Sequence, residues 1–572
     1  MNTTHTTNRM RRQFGWFTLA ALLSGSCTAA VAAEYLDLAQ DPLFSGTNAL
    51  PNVMVAVDDS GSMDEETLFR TDEGLLYWRN NTASATDSSG NFYDSGDHKY
   101  GYVFPFDQIQ ANPDNPNANN DTLTIAPIPE LAYARSAEYN KAYFNPATDY
   151  SPWLKDDGTG DKRPDEEPKE ARYDPQDTLP GPFDLTSQKS GNFYLERGMV
   201  IPGGGDVGDD DATYVCRNGS GQTYPANDIE IRFGFCYQRG FFSGYQLVQS
   251  DSSGEARDKE VDQAGVQMLP YFPATFYLRE TTPLPQGYGF DSSKTIEGKG
   301  PKGETLVGYE IRPENFTGGE SGDAYKNAIK NFANWFTYHR KRHLATRGGI
   351  VAAFDRISDI RVGSCTINNR NRLEMKDLNE LEPRAQFYSD IFNIDYSQNR
   401  GTPNRQALQH LGQQLEGKNR GDLPSIITAP CQRNFAILFT DGYSNPDENN
   451  GIGNIDGRGN FGAPFSDSRS NTIADIAMKY YSDLDTPIKG ILRVPEACDE
   501  PNPPKRLNCE TDLHMTTFGV TLNQIGTIYN VDAFDAQNRD PYTNFPAWPN
   551  VNNGRKGKEQ VDDLWHATIN SR

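Results

Sequence analysis

At 572 residues, with 54 Lys and Arg against 78 Asp and Glu, the chain carries a formal charge of −24. That balance excludes a nucleic-acid partner, whose phosphates need a basic surface, and argues against charge-driven attachment to anionic lipid. An aromatic content of 11% with recurrent apolar runs is too high for a disordered chain, and 51 Gly with 36 Pro point to several domains with loop-rich β segments.

The N-terminus reads as an export signal. Arg11 and Arg12 precede an apolar run over 14–23, and Ala30, Val31 and Ala32 offer a small-residue cleavage site, so removal of residues 1–33 is expected. Lipid attachment at Cys27 is the poorer reading, because Ser24 stands where a lipobox carries leucine. No other run approaches the ~18 apolar residues of a membrane span, so the processed chain is expected to be exported, without a transmembrane segment, to the periplasm or outer surface. Six cysteines then remain in an oxidising compartment. Short loop closure favours Cys216–Cys236 and Cys498–Cys509, leaving Cys365–Cys431 to join two strands. No C-x-x-C or suitably spaced histidine supports zinc.

Residues 52–57, NVMVAV, have the continuous apolar, β-branched character of a buried parallel strand, and the DDSGSMDEE that follows reads as a turn entering an acidic helix N-terminus. From 71 to 320 the chain turns polar and rich in Asn-Pro, Asp-Gly and Ser-Gly, with short strands at 229–238, 274–280 and 304–312, and this stretch is read as a β-rich insertion. Helical spacing returns over 323–345. Strands at 359–367, 433–442 and 513–522 then alternate with a loop and helix within 401–415, a helix at 472–484 and one at the C-terminus. That alternation predicts a doubly wound, Rossmann-like α/β sheet built from 34–70 and 321–572.

Three predicted strand ends or adjacent loops expose oxygen: Asp58, Ser60 and Ser62 in D-x-S-x-S, Thr402 in G-T-P, and Asp441 in T-D-G. In an open parallel sheet such ends line one crevice. Two carboxylates and three hydroxyls make a hard donor set suited to magnesium, with manganese or calcium as alternatives. The runs DDSGSM, GTPNRQAL and FAILFTDG resemble the metal-ion-dependent adhesion site of a von Willebrand factor A domain. Further segments, DPLFSGTNALPNVMVAV, YNKAYFNPATDYSPW, NFANWFTYHRKRHLATRGG and VDDLWHA, resemble the N-terminal half of the PilY/PilC-type type IV pilus biogenesis and tip-adhesin family.

The resemblance implies that Ser60 and Ser62 ligate the metal directly, Asp58 and Asp441 directly or through water, and Thr402 once ligand is bound. It implies a binding device without catalysis, whose partner offers an acidic side chain: minor pilins at the pilus tip or a host receptor. The family's C-terminal β-propeller has no counterpart before Arg572, so a partial reading frame is expected. Arg420, Gly421 and Asp422 spell an integrin-type tripeptide, for which helix-exit chemistry is the plainer explanation. His339 and His343 are separated by Arg340, Lys341 and Arg342 and read as a solvated basic face; the acidic runs at 205–211 and 445–456 read as solvated loops without EF-hand spacing. Two other functions compete: a secreted A-domain binder unrelated to pili, and a metal-dependent hydrolase, which lacks G-x-S-x-G, H-E-x-x-H or a nearby general base.

Overall fold

The computed structural model describes residues 49–79, 84–105, 122–176, 181–201, 269–396, 400–445, 451–457, 461–522, 524–529, 540–552, 554 and 556–572, with Val261 and the backbone of short strands between 214 and 268. The predicted leader and the run at 205–211 lie outside them.

Five strands form the central sheet: β1 (Asn52–Val57), β2 (Arg361–Thr366), β3 (Lys376–Asp377), β4 (Asn434–Thr440) and β5 (Met515–Thr521). Their order is β3-β2-β1-β4-β5, parallel except for the edge strand β3. The alternation of β1 explains its burial on both faces. Val53, Val55 and Val57 enter one apolar cluster with α2 (Arg342–Phe354) and α3 (Leu381–Phe392). Met54 and Ala56 enter the opposite one with α4 (Asn404–Leu415), α5 (Ile473–Ser482) and α6 (Glu559–Ser571). The chain therefore winds to one side of β1 to reach β2 and to the other to reach β4. That reversal opens a crevice at the carboxyl ends of β1 and β4, and the expected α/β architecture is present.

Between β1 and the sheet's second strand lie several smaller sheets. Strands 76–78, 98–102 and 122–124 form one, 275–279, 296–299 and 305–310 another, and 214–217, 229–232, 235–238 and 244–249 a third. The predicted single strand at 229–238 is a hairpin instead, with Arg232 opposite Phe235. An aromatic core unites much of this region. Helix α1 (Asp323–Tyr338) packs into it through Ala328, Ile329, Phe332, Trp335 and Phe336, with the Trp335 ring 4.8 Å from Tyr143 and 5.0 Å from Phe332.

Two local expectations are corrected. The segment after Ser60 is a single 3-10 turn, Gly61–Asp64, and not a helix. The helix expected over 323–345 breaks at 339–341, because Arg340, Lys341, Arg342 and His343 turn inward and are at most 1% exposed. Each meets a carboxylate of the 64–66 run: Arg340 Nε lies 2.7 Å from Glu66, Lys341 Nζ 2.7 Å and His343 Nε2 3.5 Å from Asp64, and Arg342 Nη2 2.9 Å from Glu65. The basic face is not solvated.

The disulfide expectation divides. Cys498 and Cys509 are bridged, with Cα atoms 5.5 Å apart. Cys365 and Cys431 are both free, which overturns the predicted pairing. Cys365 is in register with Ala56, and Ala56 with Leu438. Cys365 thus stands level with Leu438, while Cys431 lies in the turn before β4 begins at Asn434, four residues or ~13 Å further back along the strand at ~3.3 Å per residue, so the register sets the two apart. The side chains of Cys216 and Cys236 lie outside the described residues.

Candidate metal centre

The β1–β4 register builds the centre. Val57 pairs with Phe439, and the Asp58 amide donates to the Phe439 carbonyl at 2.8 Å, which sets Asp58 beside Thr440 just as both strands end. Thr440 Oγ1 donates to Asp58 Oδ2 at 2.7 Å, and the Ser60 amide to Asp58 Oδ1 at 2.8 Å. Asp58 is thus fixed by both oxygens and fully buried, and Asp441, one residue beyond Thr440, is buried as well. Burial, then the negative charge of Asp441, push the Asp58 carboxyl up to about 7.

Neighbouring loops complete the crevice. Ser60 Oγ and Ser62 Oγ stand 3.1 Å apart, and the Gly61 amide donates to the Arg400 carbonyl at 3.0 Å, tying their loop to the one that carries Thr402. Thr402 is buried and braced by Asn445, whose amide donates to the Thr402 carbonyl and whose Oδ1 accepts from the Thr402 amide. Of the five predicted ligands, Asp58, Ser60, Ser62 and Asp441 come from adjacent strand ends, and Thr402 from a loop hydrogen-bonded to theirs.

Sequence patterns gave no sign of four further residues. Asp59 anchors the loop, accepting from Thr366 Oγ1, the Asn368 amide and Arg400 Nη1 at 2.7–3.0 Å. Thr440 bridges Asp58 and Asn404. Arg342 Nη1 donates to Asp441 Oδ2 at 3.1 Å, and Lys556 Nζ lies 3.5 Å from Thr402 Oγ1. Their partners lie 36 to 382 positions away, so only the fold brings them together.

The donor chemistry suits a hard cation. Two buried carboxylates repel one another, the Ser60 and Ser62 hydroxyls stand in the loop that Asp58 begins, and Ser444 Oγ and Asn404 Oδ1 are buried without a hydrogen-bond partner close to Asp441 and Thr402 in sequence. Among the described residues no group of three or more His, Cys, Asp or Glu side chains could hold a metal, so any cation here depends on the serine and threonine hydroxyls.

The chain is similar to the type IV pilus biogenesis factor PilY1 of Pseudomonas aeruginosa. It is 28% identical to that of strain PAO1 over 341 residues, 50% of this chain and 28% of the relative. Against that of strain PAK it is 29% identical over 286 residues, 42% of this chain and 24% of the relative. The strain UCBPP-PA14 protein matches at 27% over 272 residues. Over these stretches the chain is similar to PilY1-type pilus biogenesis factors. The alignments span about a quarter of the PilY1 relatives' own length. No family model and no solved structure matches.

In this chain with its similarity to PilY1, the weaker motifs resolve as structure. Arg420 is buried, with its guanidinium donating to the carbonyls of Pro424 and Leu373 and to Gln414 Oε1, so of the integrin-type tripeptide only Gly421, in the left-handed region at φ 58°, and Asp422 face solvent. His339 and His343 lie on either side of the helix break and do not share a face. Of the 445–456 run, Asp456 is not solvated: it accepts from the Asp467 amide and from Asn570, and burial pushes it up to about 8. Among the described residues no helix is long and apolar enough to cross a membrane.

Proposed function

We propose that this chain supplies a metal-dependent binding module of von Willebrand factor A type to type IV pilus biogenesis, acting in pilus assembly and in attachment to a surface or host cell. The observation that carries the reading is the pair of buried carboxylates, Asp58 and Asp441, at the ends of neighbouring parallel strands beside the Ser60 and Ser62 hydroxyls, in a chain similar to pilus biogenesis factors. Ser60 and Ser62 would hold the cation directly, Asp58 and Asp441 directly or through water, and Thr402 would join when ligand arrives. Magnesium held this way, or manganese or calcium, keeps an open position that an acidic side chain of a protein partner can fill. Asp58 is held by Thr440 and the Ser60 amide, so the site is ordered before any ligand binds. Such a device binds and does not catalyse; its partners would be minor pilins at the pilus tip or a host receptor, reached after export.

Calorimetry on the chain processed at residue 33 tests this directly. Magnesium or manganese is expected to bind, and Asp58→Ala or the Ser60→Ala/Ser62→Ala pair to abolish binding while the far-ultraviolet circular dichroism stays unchanged. In cells whose own copy is deleted, the serine pair should also lose attachment at equal expression. Equal cation binding by wild type and both variants would overturn the reading.

A further inference from the structure

A second site is built on the outer face of α4. The inner face of this helix, Ala407, Leu408, Leu411 and Leu415, lies in the sheet's core. Gln406, Gln409, His410 and Gln413 recur at three- and four-residue spacing on the other side and form one wall of a groove of about 580 Å³. Arg370 and Arg372, from the loop between β2 and β3, form the facing wall, and Asn419 closes one end. Every lining side chain is polar, none is acidic, and two are guanidinium groups, in a chain whose net charge is −24.

The two arginines are positioned and yet uncompensated. Arg370 Nη1 donates to the Ile367 carbonyl at 2.7 Å, and Arg372 Nε to the Asn419 carbonyl at 3.0 Å. Arg372 also lies across Gly421, where an added Cβ would meet its Nη1 at 2.3 Å. Each contact restrains a guanidinium and leaves further N–H donors, while among the described residues neither arginine is ion-paired to a carboxylate. His410 adds an acceptor. Its Nε2 lies 2.9 Å from the Asn371 carbonyl, which can only accept, so the proton sits on Nε2 and Nδ1 is left with a lone pair.

We propose that this groove binds a carboxylated saccharide, a chain of uronate-type sugars. The guanidinium groups match carboxylates in a fork geometry, and the glutamine amides and histidine offer both donors and acceptors to ring hydroxyls. A peptide is the weaker fit, because no apolar side chain lines the groove to take up a peptide's own apolar groups. The inference does not depend on the metal centre.

The probe is hexagalacturonate, titrated into the export-processed chain at low salt, with maltohexaose as the uncharged control and hexaglutamate as the acidic-peptide control. Wild type should bind hexagalacturonate, with or without EDTA, and bind maltohexaose at least about tenfold more weakly. Arg370→Gln combined with Arg372→Gln should weaken hexagalacturonate about tenfold or more, and Gln413→Ala by a smaller factor, with unchanged thermal unfolding and magnesium binding. Failure of wild type to bind, equal binding by wild type and the arginine pair, or hexaglutamate binding as tightly as hexagalacturonate would each overturn the proposal.

Discussion

Arg342 links the candidate metal centre to the rest of the molecule through one buried guanidinium. It faces Asp441 through Nη1 and Glu65 through Nη2, and it donates to the carbonyls of Thr67 and Glu73. Removing it strands two buried carboxylates, and Glu65 is already pushed up to about 8 by burial despite its arginine partner. Arg342→Met should therefore lower unfolding free energy by about 3–5 kcal/mol in urea titrations, and Arg342→Lys should recover little, since an ammonium cannot span both carboxylates and the carbonyls. An unchanged midpoint in the methionine variant would contradict this account. The free cysteines follow the same logic of burial. Cys365 is pushed up to about 12 by its apolar surroundings, so iodoacetamide should leave it intact in the folded protein and label it only after unfolding. Cys431, only partly buried, should react first, and Cys498–Cys509 should survive as a bridged peptide pair. Recovery of a Cys365–Cys431 peptide would refute the register that separates them.

Elements with a strong local period were legible in the sequence, and those set by distant charge were not. NVMVAV and NFAILFT announce buried strands, and T-I-A-D announces α5, whose Thr472 side chain accepts from the Asp475 amide in a capping box. The D-x-S-x-S, G-T-P and T-D-G runs likewise fall at strand ends and at the mouth of α4, because strand period and turn chemistry are both local. The RKRH run misleads for the opposite reason: its carboxylate partners precede it by more than 270 positions, and without them four charged residues read as surface. VDDLWHA shows both behaviours. Its helix was legible, but not that Asp563 accepts from the Ile473 and Ala474 amides to cap α5, or that Asp562 accepts from the amides of 527–529. The same helix offers a pH test. His566 stacks on Trp548 at 4.0 Å, donates from Nε2 to the Phe465 carbonyl, and is held down to about 3 by burial against an ordinary 6.5. The unfolded chain takes up a proton near pH 6.5 that the folded chain refuses until about 3, so this contribution is complete above that window and is lost as pH falls through it. Relative to His566→Gln, wild type should lose about 1.4 kcal/mol per pH unit below 6.5, measured by urea unfolding across the window. Parallel curves for the two proteins would show that His566 is not the group responsible.

At the scale of the whole molecule, the joint between α1 and α2 decides whether the inserted region and the central sheet unfold together. Helix α1 belongs to the aromatic core of the insertion and α2 to the sheet's core, and the three residues between them carry Arg340 and Lys341 into buried carboxylates. Glu66 is the hub. Its Oε1 accepts from Arg340, and its Oε2 accepts from the amides of Val103 and Phe104 in the insertion, at 2.6 and 2.8 Å. One carboxylate that follows the Ser60–Ser62 loop therefore holds the insertion's backbone and the helix joint at once. If that contact transmits order between the two cores, wild type should melt in a single calorimetric transition. Glu66→Ala takes the nearest carboxylate from the buried Arg340, which keeps only its carbonyl contacts to Phe336 and Tyr173 beside more distant charge, and removes the acceptor of two amides, so it should cost about 3–5 kcal/mol and split or broaden the transition. Adding Arg340→Met removes the stranded charge and should return part of the loss, giving a coupling energy of about 0.5–3 kcal/mol in the double-mutant cycle. A single transition of unchanged width in Glu66→Ala, with strictly additive effects in the pair, would mean that apolar packing alone couples the insertion to the sheet.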